Sequence, residues 1–255
     1  MDSVVFSKMF LGIESEGPWI GLPFIQLSIG GCGHDCGDMC LDPEQALGTP
    51  AFVVQSTEID VVVQRVATTL KRFSMWSDIR CEPNHITFDM GCAEYGMKSK
   101  ELVWWNRFFE AFAAYASDNH NMAVLVENTS GRNYAPRTGD LSLHYHLRYD
   151  SFLDLPDHEW LVNTFYKLIL NHDRLKLVVH SLADYMKFTN DWVEFLVAPE
   201  DGFLHGKQYW FTLVLSPHLS KEDVEMIMSD FELGSWEGCA RLIMPQHFFL
   251  DRWDR

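Results

Sequence analysis

The stretch Gly30-Gly31-Cys32-Gly33-His34-Asp35-Cys36-Gly37-Asp38-Met39-Cys40-Leu41-Asp42 puts three of the chain's six cysteines within nine residues, among four glycines and with no bulky aliphatic before Met39. Such a loop buries little apolar surface, so its cysteines are not there for packing. Thiolates at this density suit a soft metal, and three ligands leave one coordination position open for chemistry. The loop also constrains the fold, because something rigid has to present it. The preceding Leu22-Pro-Phe-Ile-Gln-Leu-Ser-Ile29 reads as a buried strand that delivers the loop at its C-terminal end, where parallel α/β folds hold their ligands.

The rest of the chain repeats that strand-then-helix grammar. Val4 to Leu11 leads into the polar turn Gly12 to Pro18. Ala51–Ser56 is a short strand, and Thr57 with Asp60 three residues on forms a capping-box start for a helix carrying Ile59, Val62, Val63, Val66 and Leu70. His85–Met90 is the next strand, followed by Gly91-Cys92-Ala93-Glu94. An apolar helix then runs from about Lys98 to Ala116, with Leu102, Trp105, Phe109, Phe112 and Ala113 as core candidates. Met122–Glu127 is a strand ending in Asn128-Thr129-Ser130-Gly131, and Asp140–His146 alternates as a strand. Pro156 opens a helix to about Leu170, and Arg174–Val179 is a strand followed by a short helix. Gln208–Leu215 is a strand, Ser220 to Asp223 caps the last helix, and Ala240–Met244 is the last strand. No linker, repeat or low-complexity break interrupts the alternation. The expectation is one α/β domain over 1–255, with a parallel sheet or partial barrel and the metal loop at 30–42.

Charge and hydropathy narrow the function classes. With 20 Lys and Arg against 36 Asp and Glu, the formal net charge is −16. A surface so acidic repels phosphate backbones and anionic headgroups, so direct nucleic-acid or membrane binding is not expected. No stretch approaches the roughly 18 uninterrupted apolar residues of a membrane span. The opening Met1-Asp-Ser-Val-Val-Phe-Ser-Lys lacks the basic-then-apolar pattern of a signal peptide, so a cytoplasmic protein is expected. Cys81, Cys92 and Cys239 are scattered and read as small buried hydrophobes.

At this resolution of motif the chain resembles the radical S-adenosylmethionine (SAM) enzymes, and among them the 7-carboxy-7-deazaguanine synthases. Those enzymes carry Ile-Gln-Gly-Glu-Gly, a Gly-x-Pro-x-x-Phe-Ile-Arg-Leu strand and a Cys-x3-Cys-x2-Cys loop. This chain has Ile13-Glu14-Ser15-Glu16-Gly17, then Gly21-Leu-Pro23-Phe24-Ile25-Gln26-Leu27, then Cys32, Cys36 and Cys40. Further along, the family's Gly-Gly-Glu-Pro turn resembles Cys92-Ala93-Glu94-Tyr95, and its Glu-Thr-Asn-Gly-Thr turn resembles Glu127 to Gly131. Its Leu-Lys-Phe-Val-Val strand resembles Leu175–Val179, and its Pro-Gln-Leu-His ending resembles Pro245-Gln246-His247. The departures are the last cysteine spacing, Gln26 at the strand arginine, Met39 at the aromatic before the last cysteine, Tyr95 at the proline, and His144-Tyr145-His146 at the Ser-Pro-Lys.

The resemblance implies a partial (βα)6-type parallel barrel of the radical SAM kind. It implies that Cys32, Cys36 and Cys40 hold a [4Fe-4S] cluster whose fourth iron chelates SAM, with Asp42 near a Mg²⁺ ion. Gly91, Cys92, Ala93 and Glu94 would receive the SAM amino group, and Glu127, Thr129, Ser130 and His144 would line the rest of the cofactor. Glu14, Ser15, Glu16, Gln26 and His247 would contact substrate, a carboxypterin, with Lys176, Arg132 or Arg241 supplying a cation. An electron donor such as flavodoxin and a homodimer are the implied partners. Other readings stay open on the residues themselves. His34 with the three cysteines makes a zinc set. The same cluster serves a glycyl-radical activase, and a non-catalytic interaction module keeps only the scaffold. His144 and His146, two apart on a strand, share one face.

Overall fold

A computed structural model describes residues 2–13, 21–30, 50–76, 83–91, 93, 97–129, 142–150, 174–187, 189, 211–216, 218–233 and 240–243. The chain separates into two compact units, Met1–Ser15 with Trp19–His146, and Glu16–Pro18 with Leu147–Arg255.

In the first unit the strands are β1 (Val4–Ile13), β2 (Pro23–Ile29), β3 (Phe52–Val54), β4 (His85–Asp89), β5 (Ala123–Thr129) and the start of β6 (Leu143–Asp150), hydrogen-bonded in the order β3-β1-β2-β4-β5-β6. Connection length decides their direction. The short link between β1 and β2 gives an antiparallel pair, as does the pairing of β1 with β3. By contrast β2, β4 and β5 run parallel. Their connections contain the helices α1 (Ile59–Trp76) and α2 (Ser99–His120), the crossovers that parallel neighbours need.

Phe88 anchors this unit. It is fully buried at the centre of β4, with its ring centroid 5.1–5.4 Å from those of Phe108, Phe109 and Phe112 on α2. Those residues, with Leu102, Trp105, Ala113 and Ala116, recur at helical spacing and form the apolar stripe of α2. On α1 the buried positions are Val62, Val63, Val66 and Leu70, as the periodicity predicts. The hydroxyl at the entrance of α1 is Ser56, which accepts from the Glu58 N–H at 3.1 Å, one residue ahead of the expected Thr57. At α2 the Glu101 carboxylate accepts from the Lys98 N–H at 2.8 Å. Asn121, with φ 53°, closes α2 in the left-handed region that asparagine tolerates.

In the second unit the end of β6 is followed in the ladder by β7 (Arg174–Val179), β8 (Phe211–Leu215) and β9 (Ala240–Ile243); β7, β8 and β9 run parallel. Leu175, Leu177, Val178, Leu213 and Leu215 are buried on the strands, and Val224 and Ile227 on α3 (Lys221–Leu233). Ser220 caps α3 as expected, its hydroxyl accepting from the Asp223 N–H at 3.1 Å. The class expected from the sequence, a mostly parallel α/β sheet of the partial-barrel kind, is met. β6 runs on to Asp150 rather than stopping at His146, because Leu147 continues its buried alternation. The helix expected from Pro156 lies outside the described residues.

Two outcomes follow from this packing. Phe88→Ala removes the ring on which α2 rests, and a urea titration should show a loss of about 3–5 kcal/mol. In the second unit the Tyr185 hydroxyl donates to Asp230 at 2.7 Å. Burial, then that bond and the Asp230 charge, hold its proton well above the ordinary tyrosine range. The unfolded chain releases this proton near pH ~10 while the folded chain keeps it, so this contribution is whole below that pH and is lost as pH rises past it. Tyr185→Phe should cost about 1.5–3 kcal/mol at neutral pH and flatten the alkaline fall in unfolding midpoint.

Candidate functional site

Because Ile86 and Phe88 turn toward the helices, the alternate residues of β4, His85, Thr87 and Asp89, occupy the opposite face. Strand register then extends that face sideways. On β2 the partners of these three are Phe24, Gln26 and Ser28. On β5, Ala123, Leu125 and Glu127 continue the rows, and on β1 Gly12, Phe10 and Lys8 do. The result is layered. The lowest layer is packed, with Phe24 stacked on His85 at 5.5 Å and Gly12 so close that a Cβ there would stand 3.0 Å from the Phe24 ring. The middle layer holds Phe10, Gln26, Thr87 and Leu125. The uppermost, at the C-terminal ends of the parallel strands, is charged and polar: Lys8, Ser28, Asp89 and Glu127.

Asp89 is 5% exposed, and a buried carboxylate needs donors. Gln26 Nε2 donates to Oδ2 at 3.0 Å, Ser28 Oγ approaches the same oxygen at 3.5 Å, and the Gly91 N–H donates to Oδ1 at 3.0 Å. The last contact is an Asx turn that fixes Gly91 at φ 50°, where its missing side chain is needed. The Met90 N–H donates to the Glu127 carbonyl at 2.9 Å, and Ala93 N–H returns to the Met90 carbonyl at 3.0 Å. The turn after β4 is thus tied to both neighbouring strands. Beyond Glu127, His146 brings Nδ1 to 3.4 Å from Glu127 Oε1, with both side chains largely buried. Among the described residues no three His, Cys, Asp or Glu side chains gather as a metal site. A separate cavity of about 430 Å³ lies on the helix-covered face, between Ile25, Leu70, Ile86, Phe112 and Met122.

This chain has the fold of QueE from Escherichia coli. The match to that crystal structure covers 95% of this chain and 93% of the other, with a TM-score of 0.53 and 13% sequence identity. At that identity the likeness is one of fold. No protein-family model matches the chain, and no curated protein matches its sequence. No described helix is long and apolar enough to cross a membrane.

Of the residues singled out in the sequence, Gln26, Gly91, Ala93, Glu127 and His144 fall on this face or the turn beside it. Thr129 ends β5. Cys32, Cys36, Cys40, Asp42, His34, Glu14, Ser15, Glu16, Cys92, Glu94, Ser130, Arg132 and His247 lie outside the described residues. Lys176, a candidate cation, is buried on β7 of the second unit, in register with Thr212, which in turn pairs with Arg241. The sequence reading did not single out Ser28 or Asp89; it named His144 and His146 as sharing one face, and of the two it is His146 whose Nδ1 lies 3.4 Å from Glu127. The signal was present in the spacing Gln26-x-Ser28 and His85-x-Thr87-x-Asp89, polar residues alternating with apolar ones.

Asp89→Ala leaves the Gln26 amide and the Gly91 N–H without their acceptor and should cost about 2–4 kcal/mol in a urea titration. Asp89→Asn keeps an acceptor for Gly91 and should lose less than half of that.

Proposed function

We propose that this protein is a radical SAM enzyme resembling 7-carboxy-7-deazaguanine synthase, converting 6-carboxy-5,6,7,8-tetrahydropterin to 7-carboxy-7-deazaguanine by ring contraction with loss of ammonia. The observation that carries the reading is the fold shared with QueE along nearly the whole chain, combined with a trio of cysteines directly after β2. The donor set fits an iron–sulfur cluster: three thiolates, glycines that let the backbone wrap it, and one iron left for SAM. When bound, the cluster supplies the electron that cleaves SAM and so starts hydrogen abstraction from the substrate.

The chain's own part is to hold and orient. Cys32, Cys36 and Cys40 ligate the cluster, and Asp42 offers a hard oxygen to Mg²⁺. The turn Gly91 to Glu94 receives the SAM ammonium, supported from beneath by Asp89. Glu127, Thr129, Ser130 and His144 face its ribose. Glu14, Ser15 and Glu16 bind the aminopyrimidine edge of the pterin, with Gln26 and His247 at its other end. A small electron-transfer protein such as flavodoxin, a homodimer and a cytoplasmic setting complete the proposal. Gln26 in place of arginine favours a second reading that keeps the cluster and changes the substrate.

Anaerobic reconstitution should yield a brown protein with about four irons per chain. Cys36→Ala should lose both colour and iron while keeping its circular dichroism. With SAM and a reductant, 5′-deoxyadenosine should accumulate when the carboxypterin is present. A colourless zinc protein overturns the reading, and pterin-independent cleavage overturns its substrate.

A further inference from the structure

We propose that the cavity between the second halves of α1 and α2 is a ligand site, and that it takes a small carboxylate with an alkyl body. The site lies in the helix layer of the first unit and does not rest on the function proposed above.

Packing on this side of the sheet is uneven along the helices. Near their starts α1 and α2 are tied together, with Trp104 Nε1 donating to the Thr57 carbonyl at 2.7 Å. Over Phe88 the rings of Phe108 and Phe109 fill the space. Farther along, Ala67 on α1 and Ala116 on α2 place short side chains at a cavity of about 430 Å³. Its floor is Ile25 and Ile86, register partners on β2 and β4, and Leu70, Phe112 and Met122 complete an apolar wall. Native interiors leave few voids larger than a water molecule, so space on this scale in a packed layer calls for an occupant. The volume falls within the range of about 300–1,000 Å³ that small-molecule pockets occupy. Ordered water needs polar partners, and the side chains of the deep wall offer none. Hydrocarbon is the body that fits.

The mouth chooses the head group. Lys71, next to Leu70, and His120, the last residue of α2, border the same cavity and are exposed. A lysine so placed lays its methylene stem along the apolar wall and keeps its ammonium at the water boundary. Tyr115 runs from wall to mouth, its ring 6.2 Å from that of Phe112 and 5.9 Å from that of His120. Among the described residues no acidic side chain lines the cavity, in a chain with 36 Asp and Glu against 20 Lys and Arg. The surface at large repels anions while this mouth attracts them, which selects a carboxylate over an ammonium. Ile25 and Ile86 lie near the N-terminal ends of their strands, whereas the cysteine loop follows the C-terminal end of β2. The cavity is thus separate from the cofactor site proposed above.

The experiment is calorimetric titration of the full chain with octanoate, octanol and octylammonium. Octanoate should bind one per chain and about fivefold tighter than octanol, the worth of a partly exposed charge pair. Octylammonium should show no saturable binding. Hexanoate, two methylenes shorter, should bind roughly tenfold more weakly than octanoate. Lys71→Met keeps the stem and removes the charge, so it should bring octanoate down to the level of octanol. Ala67→Phe, which fills the cavity from α1, should abolish binding of both without lowering the urea midpoint. Ala67→Leu, gentler on the fold, should weaken both. The inference is overturned if octanoate does not saturate at about millimolar concentration, or if octylammonium binds as well as octanoate. It is overturned equally if octanoate affinity is unmoved by Lys71→Met or by a folded Ala67→Leu chain.

Discussion

The polar side of the first unit's sheet depends on the register in which β2, β4 and β5 pair. Side chains on a strand alternate, so sliding β4 by one residue would exchange its two faces completely. Thr87 and Asp89 would meet the aromatic stripe of α2, and Phe88 would stand among Gln26, Leu125 and their neighbours. The rings of Phe108, Phe109 and Phe112 around Phe88 make that slip prohibitively costly. Hydrophobic packing on one face thereby sets the chemistry of the other. A single aromatic anchor positions a carboxylate it never touches.

Asp89 carries the next level of organisation. Its three donors come from β2, through Gln26 and Ser28, and from the turn after β4, through Gly91. Burying a carboxylate is costly unless such donors surround it, and removing any one returns part of that cost. The same three contacts join two parts of the unit. Gln26 lies on the sheet face, Gly91 begins the turn after β4, and the Asp89 carboxylate holds the position of one relative to the other.

Much of the scaffold was legible in the sequence because it is written in local periodicity. Val62, Val63, Val66 and Leu70 on α1, the aromatic spacing of α2 and the Ser220 cap of α3 each announce themselves within one or two turns. The site was less legible. Alternation along His85–Asp89 reveals that two faces exist, yet which of them meets a helix depends on Phe108, Phe109 and Phe112 of α2, twenty or more residues beyond Phe88. For the same reason Asp89 reads locally as the polar end of a strand. Its role emerges only when β2 lies beside it. His144 and His146 are equivalent by pattern, and only the neighbouring Glu127 separates them. The Thr57 capping box did not form as expected: the hydroxyl contact before α1 is the local one from the Glu58 N–H to Ser56, two residues apart, and adjacent Ser and Thr are equivalent by local pattern.

The arginine-to-glutamine departure at position 26 is best understood through what surrounds it. An isolated glutamine is ambiguous, since its amide can donate or accept with equal ease. Beside Asp89 that ambiguity disappears, because only one end of the amide is compatible with a carboxylate 3.0 Å away. Glutamine and Asp89 thus act as a unit in which the carboxylate accepts from Nε2 and so sets which way the amide faces. That orientation is a property of the pair, and it is strand register that brings the two side chains together.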